Sequence, residues 1–95
     1  MKTRSVRLVP AARADLDRLT DFLASENERA ALRASQVIAE AVLSLAEFAN
    51  RGRPARRRGW RELVARFGNA AYVIQYRVYE TEVLVTRIFH SRERR

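Results

Sequence analysis

Cysteine is absent from the 95 residues, histidine and tryptophan occur once each, proline twice and glycine three times. Without cysteine there can be no disulfide, no thiol nucleophile and no cysteine-ligated zinc. A single histidine excludes the H-E-x-x-H metalloprotease pattern, and glycines confined to positions 52, 59 and 68 leave no loop able to cradle phosphates. Nothing has the local context of an activated serine. No apolar run approaches the ~18 residues that would cross a bilayer, so no membrane association is expected. The opening Met1–Asp17 stretch lacks a continuous apolar segment and is not expected to be a signal peptide. Neither metal nor cofactor is expected, and a reducing cytoplasm is the expected location. Of enzyme chemistries, acid–base cleavage of a substrate that activates itself stays open, such as RNA through its 2′-hydroxyl.

What the chain has is basic charge, unevenly placed. Residues 1–50 carry seven basic and seven acidic side chains, whereas residues 51–95 carry twelve arginines against four acids, so the whole net charge of +8 lies in the second half. Such asymmetry predicts a polyanionic or acidic partner. Eighteen of the nineteen bases are arginine, whose planar fork holds carboxylate or phosphate in two-pronged geometry. Genomic composition explains the arginine excess over lysine but not the clustering. At 47% apolar residues the chain is expected to fold, as a single domain over residues 1–95.

Ser5–Val9 alternates as a short strand. Pro10 then suits a first helical turn. Ala12, Leu16, Leu19 and Leu23, widened by Phe22, form one stripe of a helix of about four turns. Asp15, Asp17, Arg18 and Asp21 take its other face. Asn27 is placed to cap or turn before a second helix predicted over Glu28–Phe48. Its stripe is Ala31, Ala34, Ile38, Val42, Leu45 and Ala49, extended beyond half the circumference by Leu32, Val37, Leu43 and Phe48. The two helices should form an antiparallel hairpin. The extra apolar surface is served either by the sheet or by a partner. Asn50–Gly59 reads as a loop, with the Arg56–Arg58 run solvated. Trp60–Phe67, Ala71–Tyr79 and Glu82–Phe89 read as three strands of an antiparallel meander, and Gly68-Asn69 as the first hairpin turn. With the first strand at its edge, the expected fold is α+β, β-α-α-β-β-β, a helical hairpin on a small antiparallel sheet.

His90 is the chain's one histidine, the residue type suited to proton transfer at neutral pH, which makes it the candidate general acid or base. The plainer reading is a strand-end histidine that holds the C-terminus through backbone hydrogen bonds. Arg61, Arg66, Arg77 and Arg87 lie in strands and, with Arg92, could line one anion-binding surface. Solvated charge on a sheet face is the alternative. Tyr72, Tyr76 and Trp60 could stack on bases, although aromatics at a spacing of two usually belong to a core.

The order of the motifs resembles the ParE/RelE superfamily of bacterial type II toxins. Leu8-Val9-Pro10 through Asp15-Leu16 resembles its L-x-P-x-A-x-x-D-L opening, and Gly52-Arg53-Pro54 with Arg61-Glu62-Leu63-Val64 its G-R-x…R-E-L-V segment. Tyr72–Val78 resembles its Y-x-I-x-Y-R-V strand, and Val83–Arg92 its closing V-x-V-x-R-I-x-H-x-R. The resemblance spans essentially the whole chain. It implies a toxin wrapped by a cognate antitoxin in a hetero-oligomer, with a toxin dimer possible in principle. Leu32, Val37, Leu43 and Phe48 are the residues expected to meet the antitoxin.

Two activities divide the superfamily. RelE-like members cleave mRNA on the ribosome, with basic residues in the sheet and commonly a C-terminal tyrosine. Here two of the basic positions hold Val73 and Leu63, and no aromatic residue follows His90 in the tail Ser91-Arg92-Glu93-Arg94-Arg95. ParE-like members poison DNA gyrase, and the resemblance implies that activity, by protein–protein contact. The alternatives are a ribosome-dependent mRNA endonuclease with His90 as acid or base and Arg61 and Arg87 on phosphate, or a degenerate antitoxin-binding module.

Overall fold

Two helices lie on one face of a five-stranded sheet in the computed structural model, which describes residues 3–93. The elements are β1 (Ser5–Leu8), α1 (Pro10–Ala24), α2 (Glu28–Ser44), β2 (Arg53–Pro54), β3 (Trp60–Phe67), β4 (Ala70–Val78) and β5 (Glu82–His90). This is the expected α+β order with one addition, β2. The sheet runs β1-β5-β4-β3-β2, with β1 parallel to β5 and every other pair antiparallel. No helix among the described residues is long and apolar enough to cross a membrane.

Pro10 opens α1 where its missing N–H costs no hydrogen bond. Asn27 caps α2, its side chain accepting from the Ala30 amide at 3.0 Å, an arrangement worth about 1 kcal/mol. The helices pack on each other, α1 also against β5 and α2 against β3. Between helices and sheet lie Ala12, Leu19, Ala34, Ile38, Val42, Leu63, Ala65, Tyr72, Ile74, Tyr76, Val83, Val85 and Ile88, all buried. Both tyrosines belong to this core, as their spacing suggested.

Three expectations are corrected. The second helix ends at Ser44, not Phe48, although Leu45 and Ala49 continue its stripe into the core from the turns that follow. Within the predicted loop, Arg53-Pro54 pairs with Glu62 and Arg61 as a two-residue edge strand. Asp15, assigned to the solvated face of the first helix, is buried.

Strict alternation also fails in β5. Its register against β4 shifts between Gln75 and Tyr76, which leaves Thr86 as an extra residue with its hydroxyl donating to the Gln75 carbonyl at 3.2 Å. Such a bulge turns the strand over. Val83 and Val85 face the helices, and after the bulge Ile88 takes that face while Arg87 moves to the other.

Candidate functional site

The arginines expected to form one surface are divided by the pleat. Arg61 stands opposite Tyr76, on the helix side, whereas Arg66 and Arg77 project from the outer side with Trp60, Glu62 and Val73. Two of the five, Arg61 and Arg87, are engaged by groups of the chain itself. Arg61 Nη1 donates to the Gly52 carbonyl at 2.6 Å and to the Asn50 carbonyl at 3.3 Å, which fixes the loop into β2. Tyr76 completes that corner: its hydroxyl donates to the Ala49 carbonyl at 2.8 Å and accepts from the Gly52 amide at 2.9 Å. Burial raises the Tyr76 pKa above its ordinary value, against the smaller opposing effects of the Gly52 amide, Arg61 and Arg51.

Arg87 forms a two-pronged pair with Asp15, Nε to Oδ2 at 2.7 Å and Nη2 to Oδ1 at 3.0 Å. The same carboxylate accepts from the Ile88 amide at 2.9 Å. β1 accompanies β5 only along Glu82–Val85, so Asp15 occupies the edge of β5 that β1 leaves open. Desolvation pushes the Asp15 carboxyl up, but the Arg87 and Ile88 hydrogen bonds, the Arg87 charge and the Arg18 hydrogen bond together hold its pKa below the ordinary value.

His90 lies across from Tyr72 at the far end of the sheet, the two rings edge to face with centroids 5.6 Å apart. Its Nδ1 accepts from the Arg92 amide at 3.1 Å, and its own amide donates to Glu93 Oε2 at 3.0 Å. Glu93 in turn pairs with Arg18 of α1. That hydrogen bond, opposed by desolvation and helped by the His90 amide and the nearby positive charges, lowers the Glu93 pKa. The terminal segment is thereby tied to α1. Arg66 and Arg92 are exposed, while Arg94 and Arg95 lie outside the described residues.

The remaining arginine, Arg77, stacks on aromatic rings. Its guanidinium carbon is 5.4 Å from the Trp60 ring centre and 5.4 Å from that of Tyr79. Arg57, expected in a solvated run, lies 5.0 Å from the Trp60 ring centre. Beside them is an open cleft of about 930 Å³, lined among others by Arg53, Arg56, Arg57, Glu62 and Arg87. Sequence reading weighed Trp60 as a base-stacking residue but passed over Arg57, which it left in the solvated run. The signal available was Trp60 at the start of a strand, directly after an arginine run.

On the helical layer, Leu32 is 62% and Leu43 67% exposed, and Phe48 beyond the helix 52%. Val37 does not join them, because it packs partly buried against the core. Among the described residues no cluster of histidine, aspartate and glutamate is placed to hold a metal ion.

Residues 6–95 match the family model described as the ParE toxin of the type II toxin–antitoxin system parDE. The chain belongs to this family. Among curated relatives, this ParE-family toxin is 42% identical to Toxin RelE3 of Caulobacter vibrioides over 97% of its own length and 99% of the relative's. It is 39% identical to Toxin RelE1 of the same organism, covering 98% and 99%. Among solved structures, a chain of the chromosomal ParDE system of P. aeruginosa superposes with a TM-score of 0.80 at 31% identity, covering 93% of this toxin and 96% of that chain. A chain of the RelBE2 toxin–antitoxin complex of Mycobacterium tuberculosis gives 0.64 at 28% identity, covering 93% and 98%. The chain is therefore a toxin of the type II ParE/RelE superfamily.

Proposed function

We propose that this toxin acts on DNA gyrase by protein–protein contact, and that its antitoxin covers the exposed apolar row of α2. The carrying observation is the engagement of Arg61 and Arg87. A nuclease reading needs these guanidinia on phosphate, but one is fixed on the Gly52 and Asn50 carbonyls and the other on the Asp15 carboxylate. His90 fits the structural role, with Nδ1 bonded to the chain that follows it. Arg66, Arg77 and Arg92 are then the arginines offered to the target, and Leu32, Leu43 and Phe48 the apolar residues offered to the antitoxin.

The test pairs a supercoiling assay on purified gyrase with a translation assay on intact ribosomes. Inhibition of supercoiling, or accumulation of cleaved DNA, with translation untouched supports the gyrase reading. The His90→Gln variant should keep its effect within a few-fold, whereas loss of a general acid or base costs ~10²–10⁴ in rate. The second reading, a ribosome-dependent mRNA endonuclease, draws on the RelE relatives and on the His90 Nε2 edge. Translation arrest by the native toxin, abolished in His90→Gln with an unchanged circular dichroism spectrum, would replace the first reading with it.

A further inference from the structure

The C-terminal segment folds back on the helical layer through Glu93 and Arg18, a pair that neither the gyrase contact nor the apolar row of α2 employs. We propose that residues 90–93 form a clasp with Arg18 of α1 as its catch, and that an acidic, apolar segment of a partner protein opens it by taking the place of Glu93 on Arg18 and covering Phe22. Arg92, offered to the target above, takes part here through its main-chain amide. The proposal does not rest on the gyrase reading, because opening is read on the toxin with no target present.

The sheet edge explains why the clasp forms. β1 accompanies β5 along Glu82–Val85 and leaves the amides of Ile88 and His90 beyond it. Each meets a carboxylate, Ile88 that of Asp15 at 2.9 Å and His90 that of Glu93 at 3.0 Å. Glu93 reaches back because the chain turns sharply: its amide donates to the His90 carbonyl at 2.9 Å, and the Arg92 amide to His90 Nδ1 at 3.1 Å. Arg18 then bridges the two carboxylates. Its Nη1 donates to Glu93 Oε1, and its Nη2 lies 3.4 Å from Glu93 Oε2 and 3.4 Å from Asp15 Oδ1. The ladder to β4 continues as far as Ser91, whose amide donates to the Ala71 carbonyl at 2.8 Å. Past Ser91, the contact that joins the segment to the helical layer is Glu93 on Arg18.

This catch is accessible from outside, since the side chains of Arg18 and Glu93 are 48% and 30% exposed. Exposed ion pairs are weak, because water solvates both partners nearly as well, so a second carboxylate can replace the first. Charge balance favours replacement over simple release. Asp15 and Glu93 offset Arg18 and Arg87, and departure of Glu93 alone leaves one guanidinium uncompensated. An incoming carboxylate restores the balance. Phe22 supplies the second point of contact. Its expected place was the buried stripe, but it is 69% exposed, and it stands four residues after Arg18 on the same flank of α1. A cation with an exposed phenyl ring one turn away fits a segment that presents a carboxylate beside an apolar side chain. A polyphosphate backbone does not fit, because it leaves Phe22 in water and meets the exposed Asp17 and Asp21 of the same helix.

The His90 amide reports the clasp, for it loses its acceptor when Glu93 leaves, whereas the Ile88 amide stays on Asp15. Full-length toxin labelled with nitrogen-15 is titrated with a short capped peptide of alternating glutamate and leucine, and its amide resonances and hydrogen exchange are followed. Expected are saturable binding, faster exchange at His90 with Ile88 little changed, and movement of the His90 and Arg92 resonances toward their positions in Glu93→Ala. That variant holds the clasp open and should bind the peptide about three- to fivefold more tightly, the factor by which an exposed pair holds the segment closed. If Glu93→Ala does not fold, Glu93→Gln carries the same comparison. Arg18→Gln should weaken binding at least about threefold, whereas Arg58→Gln, which removes the same charge from the basic loop, should leave it within about twofold. The proposal is overturned by absence of saturable binding, by binding that leaves the His90 and Arg92 resonances in place, or by equal affinity in native and Glu93→Ala toxin. Equally tight binding of a glutamine–leucine or a glutamate–serine peptide would overturn it too, since either shows that the carboxylate or the contact with Phe22 is not used.

Discussion

Gly52 illustrates how little room the corner closed by Tyr76 leaves. A Cβ there would meet the Tyr76 hydroxyl at 2.6 Å and the Glu62 carbonyl at 2.8 Å, and a backbone oxygen cannot swing aside. Gly52→Ala should therefore cost about 1–3 kcal/mol, the usual range for overpacking. A melting temperature lower by at least about 4 °C would register it in a thermal scan. Asp15 makes the complementary case for charge. Its lowered pKa, and that of Glu93, mean that the unfolded chain binds protons more readily at these two sites than the native one. Their stabilisation is fully present above the ordinary values of 3.8 and 4.5 and is lost as pH falls through the lowered native ones. Asp15→Asn breaks a pair whose acidic side is buried, while Arg87 keeps substantial solvent, so a loss at the low end, about 3 kcal/mol at neutral pH, is expected. Urea unfolding followed at pH 7 and pH 3 should also give a shallower acid dependence in this variant than in the native toxin. An unchanged pH dependence would remove Asp15 from the acid limb. In the sequence Asp15 was visible as part of a motif, but its burial was not: helical periodicity put it beside Asp17 and Asp21, and only the open edge of β5 turns it inward.

Among the elements, those with strong periodicity were legible. β1, both helices and the three-stranded meander follow from alternation, from the 3.6-residue stripe and from turn residues, because each buries one continuous apolar face. β2 was not legible, since two residues offer no period and Arg53-Pro54 carries no apolar signal of its own. The end of α2 was not legible either, as Leu45 and Ala49 stay in phase with a helix that has already stopped. In β5, Val83, Val85 and Arg87 share a face by alternation, and the Thr86 bulge separates them. Among the arginines, Arg61 parts from Arg66 by alternation alone, whereas the bulge carries Arg87 to the outer side, where Asp15 engages it. The exposed row on α2 yields its own test. Leu32→Glu/Leu43→Glu alters side chains that touch mainly solvent, so stability should change by no more than ~0.5 kcal/mol per site. On size-exclusion after co-expression, the native toxin should elute with its antitoxin and the double variant largely alone. Co-elution of the variant at native yield would move the antitoxin off this face.

Taken whole, the molecule is electrically two-sided. Residues 1–50, which supply both helices and β1, balance at zero, and the excess of +8 belongs to residues 51–95, which form the rest of the sheet, its loop and the tail. Charge of one sign gathered on one side raises the encounter rate with an oppositely charged partner more than it tightens the final complex. If the antitoxin is an acidic, partly disordered chain, as the basic half suggests, the two sides act at different stages. The arginine side gathers the partner, and the apolar row of α2 holds it. Arg56→Gln/Arg58→Gln, in the exposed loop, should then slow association several-fold at low salt while changing dissociation little. The difference from native toxin should fade as ionic strength rises and the Debye length shrinks from ~10 Å at 0.1 M to ~3 Å at 1 M. Leu32→Glu/Leu43→Glu should do the reverse, speeding dissociation while leaving association near its native rate, because most losses at a packed contact appear in the off-rate. Stopped-flow mixing with the antitoxin at two salt concentrations separates the two effects. Equal slowing by the loop variant at both concentrations would mean that its arginines touch the antitoxin directly, and the division of labour between the two sides would then be wrong.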